Sequence, residues 1–357
     1  MKTGITNLPL HYGKAPSWLF SRMKRLASEI TLVIIDQYGI EEFLNRLSDP
    51  FWFQAFGCTL GFDWHSSGLT TTVCGALKEG LKDVSKEIGL FICGGKGATS
   101  RKTPLEIEEI SSKRRIKVHP EKLIYSSKMS AKIDSTALQD GYQLYHHCFI
   151  FNQEGNWTVI QQGMNTSNRM ARRYHWLGKE VEDFVCEPHK AICCDRKEEV
   201  INMVARKSED CRKVSTILAN EEPKRVIDEY KKIKQLNLSP RHTVSINDIK
   251  SQNLRKILEL TYEKRPNNFE ALLGIKGVGP KTIRALSLIS ELIYGKPASF
   301  EDPVRFSFAH GGKDGHPYPV NRSQYDLSIQ ILKEVVNLAK IGRTEKLKAL
   351  RRLNDNF

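Results

Sequence analysis

No apolar run in this chain approaches the roughly 18 residues of a membrane-spanning helix. Its first residues lack the basic, apolar and small-residue succession of a signal peptide, so the expected location is the cytosol. Cysteine is sparse: eight among 357 residues make no disulfide scaffold, and buried thiols are expected instead. Cys-x-x-Cys pairs at zinc-finger or ribbon spacing are missing as well. Cys186-Glu-Pro-His189 with Cys193 and Cys194 supplies donors at irregular intervals, and the expectation is no metal and no cofactor. The Gly-Lys-Ser/Thr order of a Walker loop is absent, and no internal repeat occurs. Acidic residues are in deficit, 41 against 55 Lys and Arg, which leaves a formal charge of +14. That excess favours a polyanionic partner, nucleic acid first, with a membrane surface or plain solubility as the alternatives.

What is present is organised around Phe269-Glu-Ala-Leu-Leu-Gly-Ile-Lys-Gly-Val-Gly-Pro-Lys-Thr-Ile-Arg. Phe269, Leu272 and Leu273 recur at helical spacing before it. Ile283, Leu286, Ile289, Leu292 and Ile293 do so after it, which predicts two amphipathic helices flanking Gly277-Val278-Gly279. Two glycines allow unusual backbone conformations and leave bare amides at the tip, and Pro280 suits a first helical turn. A turn of this kind forms an anion site from its amides and the following helix N-terminus. Lys276, Gly277, Val278, Gly279, Thr282 and Arg284 are the expected phosphate contacts, with Lys281 beside them. The pattern is a helix-hairpin-helix, a module that grips nucleic-acid backbone without reading sequence; an ordinary glycine-bounded turn is the plain alternative.

The rest of the chain reads as α+β: a mixed domain over residues 1–195 with a hairpin-containing sheet, and a helical domain over 196–357 carrying the glycine turn. Ser17 starts a first helix, Ile40–Leu47 a second, and Phe51-Trp-Phe-Gln-Ala-Phe is an aromatic run fit for core packing or base stacking. Asp63, His65 and Ser66 stand in a polar turn that suits a pocket. Leu90–Cys93 running into Gly94-Gly-Lys96-Gly reads as a strand entering a glycine-rich loop, where amides and Lys96 meet phosphate or only solvent. Asp140–Phe151 and Trp157–Met164 flank Asn152–Asn156 as a β-hairpin, in which His146 and His147 point to opposite faces, so at most one belongs to any one pocket. Asn165–Trp176 interleaves amides, arginines and aromatics, and Arg172 and Arg173 are expected on a backbone-gripping surface. Residues 195–235 look like solvated helix and linker, helices resume at Ile246–Leu258, and Phe300–Val320, with His310 and Lys313, is a long irregular loop of functional type.

Two resemblances follow from these residues. Leu272-Leu-Gly-Ile-Lys-Gly-Val-Gly-Pro-Lys-Thr is similar to the hairpin of the endonuclease III-like DNA glycosylases over roughly 255–303. That likeness implies Lys281 as a Schiff-base lysine and Asp302 as the loop aspartate, though Asp302 falls a few residues late and no four-cysteine cluster follows. Gly4-Ile-Thr-Asn-Leu-Pro-Leu-His, Arg46-Leu-Ser-Asp-Pro-Phe-Trp-Phe-Gln-Ala, Gly61-Phe-Asp-Trp-His-Ser-Ser-Gly, Gln139-Asp-Gly-Tyr-Gln-Leu-Tyr-His-His and Phe308-Ala-His-Gly-Gly-Lys-Asp-Gly resemble an archaeal and thermophile family known as domain of unknown function 763. This second likeness spans nearly the whole chain. It implies a base-excision-repair lyase acting at abasic DNA, in duplex or single strand, in a cytoplasmic, nucleoid-associated setting.

In such a reaction a neutral lysine amine attacks the opened sugar aldehyde, and a base removes the neighbouring proton so that the 3′ phosphate leaves. Lys281, beside Lys276 and Arg284 at a helix N-terminus, is the expected nucleophile. Lys132, close in sequence to Asp134 and Asp140, competes with it, Lys96 comes third, and Asp302 is the expected base. Two other classes remain: a structure-specific DNA-binding protein without chemistry, and a metal-dependent nuclease built on Asp134 with Asp140 or Glu301 with Asp302.

Overall fold

The structure is a computed structural model that describes residues 15–62, 66–194, 197–234, 249–304 and 322–356. Four helices open it, α1 (Ser17–Tyr38), α2 (Ile40–Ser48), α3 (Pro50–Thr59) and α4 (Gly68–Gly80), followed by a single turn α5 (Ser85–Ile88) and strand β1 (Leu90–Lys96). Helices α6 (Thr103–Lys113) and α7 (Pro120–Lys132) lead into a π-helical turn, Ile133–Ala137, and the short β2 (Leu138–Gln139). Strands β3 (Gln143–Asn152), β4 (Trp157–Asn165), β5 (Met170–Leu177), β6 (Ala191–Cys193) and β7 (Ile201–Asn202) come next. Helices complete the chain: α8 (Glu209–Ala219), α9 (Pro223–Lys234), α10 (Ser251–Lys264), α11 (Phe269–Gly274), α12 (Pro280–Tyr294), α13 (Arg322–Leu338) and α14 (Arg343–Asn356). The fold is α+β.

Five strands form an antiparallel sheet in the order β1-β3-β4-β5-β6, and β2 pairs with β7 in a separate ribbon. The expected hairpin is β3–β4, registered Cys148↔Ile160 and Phe151↔Trp157. Its turn is closed by Asn152, whose side-chain oxygen accepts from the Asn156 N–H at 2.9 Å. Strands covered on one face alternate buried and exposed residues; these are buried on both, because helices cover both sides. Phe149, Phe151 and Val159 face one core with residues of α7 through α12, while Cys148, Ile150 and Ile160 face another built from α1–α4, α13 and α14. Phe149 and Leu286 therefore share one core, and Phe53 and Val335 share the other, so each core draws on both sides of residue 195.

Several expectations change here. The aromatics of α3 are core, with Trp52 stacked on Phe56 at 4.9 Å. Residues 197–234 are not a solvated linker: Cys211, Leu218, Val226 and Tyr230 are buried beneath the sheet. The glycine-rich stretch at Gly94 is not a loop, since β1 runs on through Lys96 in register with His147 and His146. Gly94 itself donates its N–H to Glu106 at 2.7 Å and has φ +85°, and a Cβ there would lie 2.2 Å from the His147 carbonyl oxygen. Its amide is held inside the fold rather than offered to phosphate. Asp63, His65, Ile246, His310 and Lys313 lie outside the described residues.

Candidate nucleic-acid interface and lysine site

The glycine turn forms between α11 and α12 as the periodicity predicts. Asn268 caps α11 by accepting from the Ala271 N–H at 2.7 Å, and Phe269, Leu272 and Leu273 anchor its inner face. The Val278 N–H closes the turn on the Ile275 carbonyl at 3.1 Å, and α12 starts as Thr282 and Ile283 donate to the Gly279 carbonyl. Gly277 has φ +100°, the left-handed region that excludes most side chains. Gly279, at φ −131°, is ordinary extended backbone, so only one of the two glycines is conformationally required. Lys276 and Lys281 are exposed. Between the turn and α10 runs a groove of about 570 Å³ bordered by Lys250, Asn253, Lys256, Gly279 and Lys281. Val278 and Thr282 depart from their expected roles as contacts: both are buried, and the Val278 amide is already spent inside the turn.

Lys132, at the C-terminal end of α7, donates its ammonium to the Val278 carbonyl, 146 residues away in sequence. Two further bonds fasten the same region. The Gln139 side-chain amide donates to the Pro280 carbonyl at 2.9 Å, and Arg284 donates to the Gln139 side-chain oxygen at 3.0 Å. Lys132 is half-buried, and that burial lowers its pKa from the ordinary lysine value, the direction an imine-forming amine requires. The π-helical turn begins at the next residue; such turns concentrate at functional sites.

Lys132 also borders a cleft of about 410 Å³ between α7, the end of β3 and the residues before α6, together with Arg101, Ser127, Lys128, Tyr145 and His147. The Lys96 ammonium lies 5.9 Å from the Tyr145 ring centroid beside it. Both His146 and His147 border this cleft even though their flanking residues face opposite cores, because the β3–β4 register shifts between Leu144 and His146 at the strand's end. The one-histidine expectation is therefore corrected.

Behind the cleft lies a buried polar chain. Ser127 Oγ meets His147 Nε2 at 2.8 Å, His147 Nδ1 meets Gln161 Oε1 at 2.8 Å, and Gln161 Nε2 donates to Asp134 Oδ2 at 2.6 Å. Asp134 also accepts from Trp176 Nε1 at 3.0 Å and bonds His189. A carboxylate only accepts, so the Gln161 NH₂ faces Asp134 and its carbonyl oxygen faces His147. That oxygen in turn fixes the proton on Nδ1 of His147 and leaves Nε2 to accept from the Ser127 hydroxyl. Burial pushes the His147 pKa down and keeps the ring neutral. Sequence inspection singled out Asp134 and the histidine pair but missed Ser127 and Gln161. A period-2 reading of β3 and β4 would have placed His147 and Gln161 on one face.

Asp302 is not a base near Lys281. Its side chain is buried and grips Arg172 through two bonds of 3.2 and 2.7 Å, while Arg172 also holds Asp140 at 3.0 Å. Arg172, wholly buried, packs 4.5 Å from the Tyr142 ring centroid and cannot reach a phosphate. Arg173 is equally buried on the other face, donating to Gln54 at 3.0 Å and to His175 at 2.8 Å. Arg173 joins α3 to the sheet and Arg172 ties Asp140 and Asp302 to it, since a guanidinium can satisfy several acceptors at once. The carboxylates considered for a nuclease are scattered: Asp134 in its chain, Asp140 and Asp302 on Arg172, Glu301 on Lys207 at 2.7 Å. Among the described residues no group of three or more His, Cys, Asp or Glu could hold a metal. Cys194 bonds the Tyr142 hydroxyl and His189 bonds Asp134, so the Cys186, His189, Cys193 and Cys194 donors do not converge. No helix among the described residues is long and apolar enough to cross a membrane.

The family described as a protein of unknown function, DUF763, is matched over residues 4–320. No curated protein and no solved structure matches the chain.

Proposed function

This chain belongs to the DUF763 family, and we propose that it is a DNA-(abasic site) lyase that uses Lys132, rather than Lys281, as its Schiff-base nucleophile. The observation that carries the proposal is the place of Lys132, half-buried at the edge of a basic cleft and bonded to the glycine turn, where burial lowers its pKa. A neutral amine is the requirement that separates an imine-forming lysine from one that only neutralises phosphate. In this reading the glycine turn is a helix-hairpin-helix that holds the DNA backbone, through Lys276, Lys281 and the Gly277–Gly279 backbone, while Lys250 and Lys256 extend the positive groove. The flipped abasic sugar enters the neighbouring cleft and meets Lys132. The Lys132–Val278 bond must open for attack, which ties nucleophile release to backbone contact at the turn.

That same bond supports a second reading, in which Lys132 is a structural staple and the chain binds DNA without chemistry. An oligonucleotide with a single abasic site separates the two. The lyase reading expects cleavage that persists in excess EDTA and leaves an unsaturated aldehyde 3′ end. Binding without cleavage would support the staple, and cleavage restored only by magnesium or manganese would support a nuclease.

A further inference from the structure

We propose that Ser127 and His147 form the proton-abstracting pair of this cleft, with Ser127 touching the sugar and His147 acting through it. This inference rests on the lyase reading and supplies the base that Asp302, locked on Arg172, cannot be. Three observations point to it. Ser127, Lys132 and His147 border one cleft, so a single sugar can meet the amine and the hydroxyl. The Ser127–His147 contact of 2.8 Å is that of a hydroxyl with its general base. Finally, Gln161 and Asp134 fix the tautomer in which Nε2 accepts, and the carboxylate lies where it stabilises a ring that becomes positive.

The step balances as follows. Neutral Lys132 Nζ and the C1′ aldehyde condense with loss of water, and the imine takes up a proton from solvent to become the protonated imine. Ser127 Oγ then takes the C2′ proton as its own proton passes to His147 Nε2. The C2′–H electron pair becomes the C2′–C3′ double bond, and the C3′–O bond breaks with its pair leaving on the phosphate. His147 is left as imidazolium and returns its proton to water. Hydrolysis of the imine restores Lys132. Gln161 and Asp134 are positioning residues, since neither meets the sugar.

Imine formation and elimination can be read separately, which makes the pair testable. In wild-type protein, borohydride traps a covalent adduct with abasic DNA, and without borohydride the strand is cut. Ser127→Ala and His147→Gln are expected to trap adduct at wild-type yield while single-turnover cleavage slows by about 100-fold or more. With the sugar deuterated at C2′, Ser127→Ala should also show a larger isotope effect on cleavage than wild type, a readout that a packing defect would not produce. Cleavage by both variants at the wild-type rate overturns the pair. Loss of trapping together with cleavage in folded variants also overturns it, because the residues would then serve Lys132 or the fold. Absence of a wild-type adduct removes the lyase reading itself, a result distinct from either.

Discussion

Replacing His146 by Leu tests how the sheet holds its buried imidazoles. His146 is 1% exposed, and among the described residues neither ring nitrogen has a hydrogen-bond partner. Burial first, then the nearby His147 and Lys96, hold its pKa down to about 3, against 6.5 for an ordinary histidine. Between those values the unfolded chain binds a proton that the folded chain refuses. The folded state thus keeps its full stability above about pH 6.5 and loses it progressively as pH falls toward 3. Linkage gives a loss of about 2 kcal/mol between pH 7 and pH 5 from this group alone, and about 5 kcal/mol across the whole window. Leucine fills a similar volume and does not titrate. Urea unfolding at pH 7 and pH 5 should therefore show wild type losing about 2 kcal/mol more than His146→Leu. The lowered histidines 147 and 175 remain in both proteins and drop out of the comparison. Parallel losses in the two proteins would refute the reasoning and mean that His146 is hydrated or partnered in solution.

Three further outcomes follow from the geometry. Gly277→Ala should cost about 1–3 kcal/mol for its left-handed φ, with the added Cβ 2.9 Å from the Ile257 side chain. Gly279→Ala should fold within about 0.5 kcal/mol of wild type yet bind DNA more weakly, as thermal melts and fluorescence anisotropy would show; equal melts for the two would contradict the assignment. Asp302→Asn leaves the buried Arg172 charge short of one partner, so denaturant unfolding should show a loss of about 3 kcal/mol or more. Abasic-site trapping by the folded fraction of that variant should survive, and its abolition would return Asp302 to the chemistry. Lys281→Ala should weaken binding similarly across DNA sequences and reduce the slope of log affinity against log salt by about 0.9 for the lost phosphate contact. An unchanged slope would take Lys281 off the backbone.

Local pattern carried the glycine turn, the β3–β4 hairpin and the α+β class into the sequence, because each rests on periodicity and turn chemistry within about twenty residues. What it could not carry was which charges are buried. Arg172 and Arg173 look like a solvated basic strand until helices are known to cover both faces of β5. Their partners Asp140, Asp302 and Gln54 are scattered along the chain, and nothing local marks them. The same reason hid the meeting of Lys132 with the turn. Sequence reasoning weighed Lys281 and Lys132 as separate candidates in separate domains, whereas the fold brings Lys132 to the carbonyl of Val278, three residues before Lys281. Exposure then separates them: Lys281 is exposed, while Lys132 is half-buried and burial lowers its pKa.

Borohydride reduction on abasic DNA, followed by peptide mapping of the adduct, tests the central claim most directly. The modified peptide should carry the sugar remnant on Lys132. Lys132→Arg, which keeps the cation but cannot form an imine, should yield no adduct, while Lys281→Arg should trap at the wild-type level. An adduct on Lys281, or one that survives Lys132→Arg, would contradict the account.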